Sequence, residues 1–221
     1  MDWRTFGAED RAVLTEPSDF CRLWLFRHPE LDPSHQSRAV GSGDAPLGRR
    51  GRAQVLQWLA WLEGTPLSEV HCSPQPQCAE PARALAQPQK LEPKADPRLR
   101  DQEMGRWQGR EWSQLVQEEG AAVRDFFAEF GDAGAPGGES LGSAVERALG
   151  WWTETAPRLL GRSIAVVLPG SVLSGFAAAL LGMRLSRCVS LQLPHGGLGV
   201  LDAFANGVRI ALWNAGALGR E

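Results

Sequence analysis

The sequence predicts a single α/β domain: a three-layer sandwich with a mainly parallel sheet and helices on both faces. Three observations point there. Short apolar runs alternate with segments of helical spacing, the pattern of strand–helix–strand units. Three of those runs end in loops holding chemistry-bearing residues, at Arg27-His28, at residues 73–77 and at Pro169-Gly170. Parallel sheets place ligand sites beyond such strand ends. Finally, 221 residues with 43% hydrophobic and 22% charged content suffice for one large core.

Taken in order, residues 1–20 are mixed and polar and read as an N-terminal lead-in, with one domain over 21–221. Residues 22–26 form an apolar strand that stops at Pro29, and residues 29–46 are a Pro/Ser/Gly loop. Val55, Leu56, Leu59 and Leu62 recur at helical spacing within 47–62. A second strand over 67–72 leads to a helix over 75–86 that Pro81 interrupts early. Residues 92–98 hold a short third strand, and 111–130 are helical. A Gly/Pro turn spans 131–138, and Ser140 opens a helix running to about Leu160. Residues 163–168 are the clearest buried strand, followed directly by a small-residue helix over 172–183. Strands are expected at 188–193, 197–202 and 208–212.

Lys and Arg number 23 against 26 Asp and Glu, a net charge of −3, which argues against nucleic-acid binding by bulk charge and leaves only a local basic patch as a route to it. The N-terminus lacks an apolar signal core, and no apolar run reaches the roughly 18 residues of a membrane span, so a cytoplasmic protein with no membrane partner is expected. Cys21, Cys72, Cys78 and Cys188 lack CxxC spacing and read as reduced, buried thiols. The four His likewise lack metal-ligand spacing, so no metal or other cofactor is expected.

A set of motifs stands in one order along the chain. Arg27-His28 ends the first strand, with Glu30 close behind. Arg38, Gly41, Asp44-Ala45-Pro46-Leu47 and Gly51-Arg52-Ala53-Gln54 follow. Then come Leu99-Arg100, Gly105, Trp107, Gly109 and the run Pro136-Gly137-Gly138-Glu139-Ser140. From about residue 22 to 213 this resembles the histidine phosphatase superfamily, of phosphoglycerate mutase-like fold. The resemblance implies a neutral His that attacks phosphorus and becomes phosphohistidine, two Arg and a second His that hold the phosphoryl oxygens, and a carboxylic acid that protonates the leaving group.

Carried over residue by residue, Arg27 matches the first phosphate-binding Arg and His28 the nucleophile. Pro29 replaces a Gly whose amide approaches the phosphate, and Pro has no N–H to offer. Gln77 stands where the second Arg is expected and supplies no charge. Asp101 stands at the acid Glu, shorter by one methylene, roughly 1.5 Å. Pro169 replaces the second His. His195-Gly196-Gly197 follows a different strand, so this literal His-Gly-Gly reads as a decoy, at a family position near the pocket rim where His195 can still face the site.

Each residue also has a plainer reading. Arg27 and His28 could be an inherited pair with Arg27 tied to a buried carboxylate. Asp101 could cap a loop or pair with Arg100. Glu139 fits a structural hydrogen bond as well as a pocket role. His195 fits an ordinary turn residue, His35 a solvated one, and His71, Trp107, Trp151 and Trp152 packing.

Losing one preorganised donor costs about 10²–10³ in rate. The first expectation is therefore a phosphatase-like protein of weak or absent activity, repurposed for binding, regulation or altered chemistry. The second is a working phosphomonoesterase with His28 as nucleophile, Arg27 and Arg38 on the phosphate, and Asp101 as acid; Arg52 and Arg83 are further cations that could fill the gap. A third is an interaction module or homodimer using Trp surfaces. The expected partner is a phosphorylated small molecule or other anion, with Gln77, Glu139 and His195 among the residues that face it.

Overall fold

The computed structural model describes residues 20–215. Its strands are β1 (Phe20–Arg27), β2 (Glu69–Cys72), β3 (Lys94–Ala95), β4 (Ser163–Leu168), β5 (Leu198–Phe204) and β6 (Gly207–Ala215). Its α-helices are α1 (Arg49–Trp61), α2 (Pro76–Ala86), α3 (Trp112–Ala128), α4 (Leu141–Thr155) and α5 (Gly170–Leu180). The expected lead-in lies outside the described residues except for Phe20, which opens β1.

The six strands form one sheet in the order β3-β2-β4-β1-β5-β6. Three of the five pairings are parallel; β5 runs antiparallel to both β1 and β6. The sheet is thus mixed, parallel on the side that carries the functional loops.

Side-chain alternation along the strands builds the layers. Leu23 and Leu25 of β1, with Ile164, Val166 and Leu168 of β4, join Leu141, Trp151 and Phe176 of α4 and α5. Phe26, Ala165 and Val167 point the other way, onto Trp58 of α1 and Ala82 and Leu85 of α2. Each fully buried large aliphatic side chain contributes about 1.5–3 kcal/mol. A smaller cluster of Ala39, Met104, Trp107, Leu115 and Phe126 supports the excursion that carries α3. Trp107 and Trp151 are fully buried and belong to the core, so they offer no surface for a partner.

Three expectations about elements need correction. The strand expected at 188–193 is a 3-10 helix, Leu185–Leu191. Cys188 and Leu191 are its buried residues, three apart, with exposed residues between them, which is the 3-10 period and not the strand period. Pro81 does not interrupt α2. The helix continues through it, with Pro81 buried among Ala79, Ala82 and Leu85, and only its missing N–H is forgone. The helix after Ser140 ends at Thr155, and a 3-10 turn over Ala156–Arg158 takes up Pro157.

No single helix among the described residues is long and apolar enough to cross a membrane. All four cysteines are free and buried.

Candidate active site

Neighbouring strand ends are stitched together at the carboxyl edge. The His28 amide donates to Leu168 O (2.9 Å) and the Ser73 amide to Val167 O (3.1 Å). Because β5 is antiparallel, its beginning, not its end, lies beside the end of β1, with Phe26 paired to Leu198. The turn before β5 therefore lands at His28: the Arg27 amide donates to Gly197 O and the Gly196 amide to His28 O. This geometry brings His195 into the site. Its ring centroid lies 4.9 Å from that of His28.

The hydrogen bonds fix the tautomers. His28 Nδ1 lies 2.9 Å from Pro29 O. A carbonyl can only accept, so Nδ1 carries the proton and Nε2 keeps a free lone pair. Burial, with the neighbouring His195 and Arg27, pushes the His28 pKa down to about 3, and the bond to Pro29 only partly opposes this. His195 Nδ1 faces His28 O at 3.4 Å, and its Nε2 lies 3.1 Å from an Arg27 Nη. By the same logic Nε2 accepts from Arg27. Burial and the Arg27 charge push the His195 pKa down to about 4.

Arg27 also donates to Leu193 O at 2.5 Å, while its buried Nε has no partner among the described residues. Burial lowers its pKa, opposed by Asp101. Gly170, the first residue of α5, makes room for it: a Cβ there would stand 2.5 Å from Arg27 Nε. Asp101 accepts from the Ser171 hydroxyl (2.5 Å) and the Gln102 amide (2.9 Å). Burial raises the Asp101 pKa, although Ser171, the Gln102 amide, Arg27 and Arg147 all pull it down. A raised pKa suits a carboxyl to donate a proton.

These residues line a cavity of about 380 Å³, whose walls also include Arg38, His35 and the aromatic side chains of and beside α3. Of the three further cations considered from sequence, Arg38 alone reaches the lining, and it is spent. It donates to Ser34 O and Gly109 O and pairs with Glu111 at 2.9 Å. Arg52 and Arg83 are outside it.

Two other sequence-predicted residues are not at the cavity. Gln77 is buried with its amide turned to the 43–45 loop, donating to Gly43 O (3.0 Å) and accepting from the Ala45 amide (3.2 Å). An uncharged amide matches backbone groups in both directions, which explains why it packs there. Glu139 binds Arg147 through both oxygens, each at 2.7 Å. Its pocket role gives way to the structural one. Asp101 does not pair with Arg100, and His71 is held by Glu69 at 2.7 Å and packs edge-on to Trp151.

Sequence reasoning missed three residues. Ser171 sits in the Pro169-Gly170-Ser171 turn, and its signal was a hydroxyl at the start of a helix following a buried strand. Gln75 accepts from the Asp101 amide (2.8 Å) and donates to Gly41 O and Gly43 O. Arg147 donates to the carbonyls of Arg98, Arg100 and Asp101 as well as to Glu139, and so clamps the segment bearing Asp101. Neither of the last two carried a sequence signal, since both act through backbone groups distant in the chain.

Comparison with known proteins agrees with this architecture. The family model described as histidine phosphatase superfamily (branch 1) matches residues 23–216. The adenosylcobalamin/alpha-ribazole phosphatase of Escherichia coli K12 is 24% identical over 200 residues, covering 90% of this chain and 98% of that protein. Phosphoserine phosphatase 1 of Hydrogenobacter thermophilus is 26% identical over 180 residues, covering 81% and 85% respectively. In fold, the crystal structure of the alpha-ribazole phosphatase from Shigella flexneri superposes with a TM-score of 0.80 at 23% identity, covering 90% of this chain and 99% of that one.

Proposed function

This chain belongs to the histidine phosphatase superfamily, and from that premise we propose that it binds an anionic small molecule, such as a phosphorylated metabolite, in a pocket that has lost most of its phosphoryl-transfer power. The observation that supports this is the position of Gln77. It stands where the family's second phosphate-binding Arg is expected, and its amide is consumed by the 43–45 loop. Among the described residues, Arg27 is then the one arginine in the lining without a carboxylate partner. Pro169 removes the second His. His195, though beside Arg27, accepts from it and has no proton at Nε2 for a phosphate oxygen. A transferring phosphoryl group spreads charge over three oxygens and needs several fixed donors.

The test is phosphate release from a broad phosphomonoester panel, run beside His28→Ala, together with inorganic phosphate binding by calorimetry. Expected are Arg27-dependent phosphate binding and no His28-dependent turnover of the usual enzyme size, roughly 1–10³ s⁻¹. Turnover in that range, abolished by His28→Ala, overturns the reading.

One observation favours the alternative, an active phosphomonoesterase. The His28 tautomer presents a free Nε2 lone pair, as a nucleophile requires. In that reading Nε2 bonds to phosphorus, the ester oxygen departs with the Asp101 proton, and water then cleaves the phosphohistidine. The same panel decides between the two.

A further inference from the structure

We infer that the ligand of this pocket is an anion carrying a planar aromatic body, its charge on Arg27 and its ring against the aromatic wall of α3; the inference rests on the anion-site reading above. Trp112, Phe126, Phe127 and Phe130 all line the cavity that holds Arg27 and His28. Three of these rings are in mutual contact: Trp112–Phe127 at 5.5 Å, Phe126–Phe127 at 5.2 Å and Trp112–Phe126 at 6.4 Å between centroids. Phe126 is the buried base of this cluster, within the core around Trp107. Its outer ring is open: Phe127 is 53% exposed, and Val189, also in the lining, is 54% exposed. Large apolar side chains left open around a concave site with a few polar groups are the chemistry of a ligand pocket.

Charge and size narrow the class. Of the five N–H donors of Arg27, Leu193 O and His195 take two, and the buried Nε–H has no partner among the described residues, so donors remain for an anion. Arg38 is neutralised by Glu111. Asp101 is the one carboxylate among the lining residues. A cavity of about 380 Å³ lies within the range of small-molecule sites, roughly 300–1,000 Å³, and exceeds what a bare phosphate needs. Aromatic rings prefer offset or edge contacts with other rings, which the open face of Phe127 can supply.

A matched set of three ligands tests this by calorimetry on the full chain: (2-naphthylmethyl)phosphonate, methylphosphonate, which has the anchor without the ring, and 2-naphthylmethanol, which has the ring without the anchor. Phosphonates resist hydrolysis, so residual activity does not confuse the result. Expected is at least about tenfold tighter binding of the naphthyl phosphonate than of methylphosphonate. Phe127→Ala should cut that advantage by about 3- to 10-fold and leave methylphosphonate binding unchanged, and Phe127→Trp should restore it. Phe127 is half exposed, so its replacement should leave the fold intact, as circular dichroism will check. Equal affinity for the two phosphonates, or an equal loss of both in Phe127→Ala, overturns the aromatic inference while the anion site stands. Naphthylmethanol binding as tightly as the naphthyl phosphonate overturns the anion-site reading itself, and the inference with it.

Discussion

Acidification should destabilise this protein through two histidines that it buries in neutral form. His28 is 7% exposed, with its folded pKa at about 3 against an ordinary 6.5, and His195 titrates at about 4. Above pH 6.5 neither is protonated in either state. Below it the unfolded chain takes up both protons and the native pocket takes up neither, so stability falls with pH until the folded values are reached. At pH 5 the unfolded imidazole is 1.5 units past its midpoint, and at 1.36 kcal/mol per unit each histidine costs about 2 kcal/mol. The pair together costs about 4 kcal/mol, a large share of the usual 5–15 kcal/mol. The assay is urea unfolding at pH 7 and pH 5 for the native sequence, His28→Asn and His195→Asn. Carboxylates and His71 titrate in all three, so their effect cancels in the comparison. Each variant should lose about 2 kcal/mol less between the two pH values than the native sequence. If all three lose the same amount, the histidines are not buried neutral, and the tautomer argument built on Pro29 O and His28 O fails with them.

Three further outcomes follow from the same contacts. Gly170→Ala places a methyl against Arg27 Nε and should weaken inorganic phosphate binding at least about tenfold while the melting temperature moves little; calorimetry and thermal unfolding read the two effects separately. Ser171→Ala removes a hydroxyl that stabilises the charged form of Asp101 and should raise the Asp101 pKa further, as a carboxyl-carbon NMR titration will show. Arg147→Ala leaves Glu139 and the carbonyls of residues 98, 100 and 101 without their partner. It should cost about 2–4 kcal/mol in denaturant unfolding, because hydrogen bonds to charged groups are worth roughly 1.5–3 kcal/mol each and the site is only partly buried.

Much of the architecture follows from local rules. Apolar runs of strand length, helix-period segments and Gly/Pro punctuation lie close together in the chain, so they can be read there. Arg27-His28 at a strand end and Asp101 after Leu99-Arg100 belong to the same local grammar, and all three line one cavity. The Leu185–Leu191 turn was misread because a short apolar run does not declare its period until burial shows which residues face inward. Pro81 misled in the opposite sense: a rule about isolated helices was overridden by packing on the sheet.

The sequence by itself determined the α/β framework and the strand-end pair Arg27-His28, and it set Gln77 and Pro169 at positions where the resemblance expects Arg and His, because each depends on residue type at a position along the chain. Only the tertiary structure decided how the site is completed. The antiparallel direction of β5 carries His195 to Arg27, a partnership 168 residues apart in the chain. The same three-dimensional arrangement turns Gln77 to the 43–45 loop, ties Glu139 to Arg147 and closes Ser171 on Asp101. Strand direction and side-chain rotamer are set by the sum of packing and backbone pairing across the whole sheet, and no local run of residues encodes that sum.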